Sequence, residues 1–308
     1  MVQSSVRPRH GRVVGLLAIL ASFPVLGAGA QVFSTPEEAV QTLFQAARTG
    51  DVDAMLRVLG SDARSILVSG DPVGDTAALR HFVEEYDEAH SLAEHSDGGR
   101  VLLLGRDKWP FPIPLVKGKS GWIYDTKAGK EEILARRIGR DELDTIQVCA
   151  NYVEAQHDYM ERNPSGANPP HYAARLISTS GKRDGLYWPP VPGEPESPFG
   201  PAVGKAQQQG YSPEKGEGSA YHGYYYRMLN AQGPHAEGGA LDYLVEGKLV
   251  RGFALEAYPA SWGKSGVMTF IVNQDGVVFQ KDLGPDTATL AQKMKRFDPD
   301  DSWTRTAP

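Results

Sequence analysis

The chain has 308 residues, 41% of them hydrophobic and 23% charged, with a formal net charge of −6 and one cysteine. That composition excludes a disordered chain and a disulfide-stapled scaffold, and the acidic balance excludes the basic stripe of a nucleic-acid binder. Cys149 has no partner within the chain, so stability rests on core packing.

Arg7, Arg9 and Arg12 precede an uncharged apolar run from Val13 to Leu26 and then Gly27-Ala28-Gly29-Ala30. A basic start, a short apolar stretch and small residues at −3 and −1 form the signal-peptide pattern. The run is shorter than the ~20 apolar residues of a spanning helix, so residues 1–30 are expected to be cleaved before Gln31. The expectation is an exported protein, periplasmic or extracellular, with no transmembrane segment after cleavage. Losing three arginines takes the charge from −6 to −9.

Ser34-Thr35-Pro36-Glu37-Glu38 predicts a helix start, with a capping hydroxyl, proline in the first turn and acids at the positive end of the dipole. Val40, Leu43, Phe44 and Ala47 continue it at helical spacing, and Gly50-Asp51 ends it. A second helix is expected over 52–59 and a third over 76–90, the latter carrying Leu79, Phe82, Val83 and Tyr86. Strands follow at 100–104, 115–117 and 121–125, the last two as a hairpin.

Residues 130–160 form the longest helical pattern, with an interruption expected at Gly139 and with Ile146, Cys149, Val153, Gln156 and Met160 on one face. One or two helical turns are expected at 172–176, and the Pro/Gly-rich stretch 185–218 predicts an extended surface segment. Strand candidates follow at 221–229, 242–245, 251–258, 266–272 and 277–280, with Asn273-Gln274-Asp275-Gly276 as the clearest hairpin turn. The fold class is therefore α+β: N-terminal helices plus an antiparallel, cone-like sheet, a long linking helix and a C-terminal antiparallel sheet. The expected domains are 31–139 and 140–308, the second holding the loop 185–218.

Helix, short helix, helix and then antiparallel strands, opening on Ser34-Thr35-Pro36-Glu37-Glu38 and closing on Lys119-Ser120-Gly121-Trp122-Ile123-Tyr124-Asp125, resembles the nuclear-transport-factor-2-like fold over residues 33–138. That resemblance implies a cavity between sheet and helices, used in such folds for ligands, catalysis or association. The stretches 221–227, 252–259 and 266–278, behind a helix and an irregular loop, resemble the globular head of type IV pilins and pseudopilins. No hydrophobic pilin helix precedes them, so the resemblance does not imply pilus assembly. The motifs at 107–116, 129–143, 181–189 and 281–287 look like the exported bacterial family catalogued as domain of unknown function 2950, across nearly all the mature chain. That family name carries no activity.

Chemistry-bearing constellations are sparse. No zinc motif occurs, Asp298, Asp300 and Asp301 lack the glycine and distal glutamate of a calcium loop, and no metal or cofactor is expected. The carboxylates and histidines from Glu84 to His95 suit a solvated helix face and its exit. No Gly-x-Ser-x-Gly elbow is present, and Cys149 on an apolar helix face is expected to be a buried structural thiol. Gly181-Lys182-Arg183-Asp184-Gly185 lacks the phosphate-loop pattern and predicts a charged turn. Candidate ligand- or partner-binding residues are Trp109 and Phe111, on a proline-stiffened ribbon, Tyr187 and Trp188, and His222 and Tyr224, with core packing as the alternative role for the aromatics.

The preferred functional expectation is a non-enzymatic envelope adaptor or binding module whose partner is another envelope protein or a small apolar ligand. A deep pocket holding His222 beside an acid at hydrogen-bond distance would weigh against it. The alternatives are an exported hydrolase or isomerase in the N-terminal cone, using Glu84 or Asp125 with His81, and a structural part of a surface assembly.

Overall fold

A computed structural model describes residues 29–95, 98–213 and 218–306. All but the last two residues of the expected signal peptide lie outside that range. Helix α1 (Pro36–Thr49) starts where the Thr35 hydroxyl accepts from the Glu38 amide and stops at Gly50, whose φ of 67° is the left-handed C-terminal cap. Asp51 caps α2 (Val52–Leu59), which a short α3 (Arg64–Leu67) follows, and Asp71 caps α4 (Pro72–Glu88). Strands β1 (His90–Glu94), β2 (Arg100–Leu104), β3 (Trp109–Pro110), β4 (Leu115–Lys117) and β5 (Trp122–Tyr124) then form an antiparallel sheet in the order β1-β2-β4-β5, with β3 also paired to β2. Leu43 and Phe44 of α1, Met55 of α2, Tyr86 of α4 and Leu102, Leu115 and Tyr124 of the sheet make the first core, where Phe44 stacks on Tyr86 at 4.1 Å.

Helix α5 (Thr126–Arg162) is 37 residues long, about 55 Å at 1.5 Å per residue, and Asp125 caps it. It runs unbroken through the expected boundary at 139/140. The interruption expected at Gly139 does not occur: one glycine costs a helix interior only about 1 kcal/mol, and the packed turns on either side outweigh it.

After α6 (Gly200–Gln208), strands β6 (Tyr224–Leu229), β7 (Ala231–Gln232), β8 (Leu241–Asp242), β9 (Leu244–Val245), β10 (Lys248–Leu249), β11 (Ala254–Pro259), β12 (Met268–Asn273) and β13 (Phe279–Asp282) lead to α7 (Thr287–Lys293) and β14 (Thr304–Arg305). The large sheet has the order β14-β13-β12-β11-β6, all antiparallel, while β7 pairs β8 and β9 pairs β10. The expected turn at 273–276 joins β12 to β13, with the Gly276 amide donating to the Asn273 carbonyl at 3.0 Å. Both faces of the interior strand β11 are covered. Leu255 and Ala257 face the core shared with Cys149 and Tyr152 of α5, and Ala254 faces the core shared with Ile271 and Phe297.

Three further expectations are corrected. Residues 172–176 are extended rather than helical, because the Tyr172 amide donates to the Leu249 carbonyl and the Arg175 and Leu176 carbonyls accept from the Leu186 and Tyr187 amides. The stretch 185–218 is not merely a surface segment: Leu186 and Trp188 are buried in the α5 core, and α6 forms inside it. The third helix starts four residues earlier than expected, at Pro72, because Asp71 supplies the cap. Strand β1 and helix α7 carry no strong periodic signal and were not expected; a short edge strand with the exposure pattern of β1 offers none.

Candidate functional site

The start of α4, the middle of α5, helix α6 and the turn entering β6 enclose a cavity of about 490 Å³. Val73, Val148, Ile177, Phe199, Val203 and Leu255 give it apolar walls. Its polar lining includes Asp71, Asp144, Asn151, Lys205, Tyr221 and His222. A mostly apolar cavity of this size with few convergent polar atoms is the usual form of a small-molecule site.

His222 Nδ1 lies 2.9 Å from Asp144 Oδ2. The contact is an ion pair when the ring is protonated, and because a carboxylate only accepts, in the neutral ring it favours the tautomer with its hydrogen on Nδ1. Burial pushes the imidazole below its ordinary 6.5, against the opposing pull of Asp144 and Asp71, so the neutral ring is favoured. The backbone there is unusual: His222 has φ 49° and Gly223 φ 74°, two successive left-handed residues that swing the ring away from the line of β6. Only glycine fits at 223, since a Cβ would come within 2.8 Å of Asp141 Oδ2 and 2.9 Å of Ser265 Cβ.

A buried strut holds this turn against the N-terminal half. Asp71 Oδ1 accepts from the Val73 and Gly74 amides, both at 3.1 Å, as the α4 cap. Its Oδ2 accepts from the Tyr211 hydroxyl at 2.6 Å and from the Gly223 amide at 3.0 Å. The Tyr211 oxygen in turn accepts from the His222 amide at 3.3 Å. Burial raises the Tyr211 phenol further above its usual range, and the neighbouring Asp71 adds to that. Asp141 is pushed up to about 6 by burial, with Arg140 opposing. From the same turn of α5, Glu142 accepts from the Val267 and Met268 amides at 2.9 and 3.0 Å, pinning the helix to β12.

Of the residues singled out from sequence, His222 lines this cavity. Trp109 is 62% exposed on β3, and Phe111 packs on Phe82 and lines a second, smaller cavity of about 280 Å³ under α1 and α4. Tyr187 and Trp188 are buried, with the Arg183 guanidinium 5.6 Å over the Trp188 ring. Tyr224 is fully buried and its hydroxyl donates to the Met268 carbonyl at 2.9 Å. His81 lies on the exposed side of α4, 3.9 Å from Glu85, and Glu84 lies 3.9 Å from Arg80. Asp125 is spent on capping α5, and neither it nor His81 nor Glu84 lines the smaller cavity. Cys149 is fully buried and its thiol is pushed up to about 12 by burial, which makes it unreactive.

Sequence reasoning missed Asp71, Asp144, Lys205 and Tyr211. Asp144, Val148 and Tyr152 do share one face of α5 at helical spacing, but nothing in the sequence says that this face meets His222. Among the described residues, no group of three or more His, Cys, Asp or Glu stands where it would hold a metal ion, and no helix is long and apolar enough to cross a membrane.

Residues 30–306 match the family described as Protein of unknown function (DUF2950). The chain belongs to that family. No curated protein matches it. In this DUF2950 chain two of the motif stretches, 107–116 and 129–143, meet. Gly129 of the 129–143 stretch lies so close to the 107–116 ribbon that a Cβ would stand 2.3 Å from the Pro112 carbonyl oxygen. Arg137, from the same stretch, hydrogen-bonds the Ser65 and Ile66 carbonyls, and Asp141 abuts Gly223. The 181–189 stretch carries the Ile177–Tyr187 bridge below the cavity, and the 281–287 stretch leads β13 into α7.

Proposed function

We propose that this DUF2950 protein is an exported binding module that holds a small, largely apolar molecule in the junction pocket, with His222 as its polar anchor. The supporting observation is the pairing of an apolar cavity of about 490 Å³ with a single oriented imidazole at its wall. Export rests on the signal-peptide pattern of residues 1–30. A pocket that holds His222 with its Nδ1 2.9 Å from Asp144 weighs against the non-enzymatic adaptor expected from the sequence. The helix-then-sheet order of the N-terminal half supports a cone-like reading and the C-terminal sheet a pilin-head-like one.

The test uses anilinonaphthalene sulfonate, an amphipathic fluorescent probe, with the mature chain. Saturable fluorescence enhancement is expected, weakened at least about tenfold by Ala202→Trp, which fills the pocket from α6. Ala78→Trp, in the smaller cavity, leaves the affinity unchanged. Equal binding by the wild type and Ala202→Trp would contradict the assignment.

A further inference from the structure

Resting on that reading of the pocket, we infer that the site hydrolyses small neutral carboxylic esters, with His222 as the base and Asp144 positioning it. Asp144, 2.9 Å from Nδ1, favours the hydrogen there, which makes Nε2 the basic nitrogen of a ring that lines the cavity. The Tyr221 hydroxyl lines the same cavity and makes no hydrogen bond among the described residues, which leaves a donor beside the base; the two rings lie 4.3 Å apart between centroids. Base and donor both come from one sharply turned segment, Tyr221-His222-Gly223, held by the Asp71–Tyr211 strut. A left-handed histidine braced in this way is the kind of costly backbone that persists at reactive sites.

The walls set the substrate class. Apolar and aromatic side chains dominate them, and the cavity accommodates an acyl or aryl group of modest size. In the reaction, His222 Nε2 takes a proton from a water molecule as the water oxygen bonds to the ester carbonyl carbon. The carbonyl π pair moves onto its oxygen, which accepts a hydrogen bond from Tyr221. The intermediate collapses, the bond to the alcohol oxygen breaks, and the imidazolium proton passes to that oxygen. Acid and alcohol are the products, and water is the only co-reactant.

Groups facing the imidazole are Asp144 and Arg140 from α5, Asp71 from the α4 cap, Lys205 from α6, and the rings of Tyr211 and Tyr221. Because burial dominates among their effects, kcat/KM is expected to rise with pH through an inflection below 6.5. Asp144→Asn removes the group that stabilises the imidazolium, so the inflection moves lower still, a shift that a structural role alone does not produce.

The experiment follows phenol release from phenyl butyrate by the full mature chain, with butyl phenyl ether as the uncleavable probe of binding. The expected result is turnover that falls at least about a hundredfold in His222→Asn, a residue that tolerates the left-handed backbone, and that is unchanged in His81→Ala. Ether binding that Ala202→Trp abolishes, without ester turnover by the wild type, overturns the hydrolysis and leaves the pocket reading standing. Failure of both ester and ether to bind overturns both. Turnover retained by His222→Asn overturns the assignment of the base.

Discussion

Replacing Asp71 by asparagine tests how the junction holds His222. The buried carboxylate serves four donors: the Val73 and Gly74 amides through Oδ1, and the Tyr211 hydroxyl and Gly223 amide through Oδ2. Asparagine keeps the capping oxygen but turns an amide NH₂ toward the other two. The Tyr211 hydroxyl rotates to accept from it; the Gly223 N–H has no such freedom and is left unpaired. Loss of a charge-assisted bond plus a stranded buried donor costs about 2–3 kcal/mol after the easier burial of a neutral side chain is counted. Tyr211→Phe removes only its own bonds and costs about 1–2 kcal/mol. Because the two changes share one hydrogen bond, the double mutant is expected to fall short of their sum by about 1 kcal/mol. Urea unfolding followed by tryptophan fluorescence measures all four species. A cost for Asp71→Asn below about 0.5 kcal/mol, or strict additivity, would refute the strut.

Two glycines of α5 are expected to respond in opposite ways to alanine. Gly139→Ala adds a methyl to open, exposed helix surface and stabilises by about 0.5–1 kcal/mol, whereas Gly129→Ala drives a methyl into the Pro112 carbonyl and destabilises by about 1–3 kcal/mol; thermal melts that rank them the other way would refute the packing. Glu256 is fully buried, and burial pushes its carboxyl up to about 7 from 4.5 despite Arg227 at 2.5 Å. The folded state thus keeps a proton that the unfolded chain releases, so its contribution to stability falls as pH rises from 4.5 to about 7, by about 3 kcal/mol. Glu256→Gln removes that slope while still accepting from Arg227; parallel stability–pH curves for the two proteins would contradict the sign. Probe affinity in the junction pocket is expected to fall in Asp71→Asn along with stability, because the same carboxylate orients the His222 turn; titration with anilinonaphthalene sulfonate under fully folding conditions checks it.

The elements most legible in the sequence are those whose signals are local. Thr35, Asp51 and Gly50 mark helix ends through their own hydrogen bonds, and Asn273-Gln274-Asp275-Gly276 marks its turn through glycine at φ 75°. The extended path of residues 172–176 is not legible in the sequence because its order comes from distant partners: Tyr172 pairs with Leu249. Gly139 misled for a related reason, since packing on both sides carries the helix through a residue of poor propensity. At the site, His222 stood out as a histidine between a tyrosine and a glycine, yet its acid and its strut come from α5, the α4 cap and residue 211, and only the fold brings these together. The aromatic residues drew attention for their size. Tyr224 and Trp188 are large because they fill cores, and the tyrosine that serves the junction is Tyr211, whose sequence surroundings carry no periodic signal.

A crystallographic fragment screen with phenols, aryl ketones and short aryl amides checks whether the junction pocket is a binding site built around His222. Fragments are expected to collect between α5, α6 and the Tyr221–Gly223 turn, with a fragment hydrogen-bond donor on His222 Nε2 and the Nδ1–Asp144 pair intact. Fragments that gather elsewhere and leave that pocket to solvent, or an imidazole whose Nε2 is turned away from every bound fragment, would contradict it.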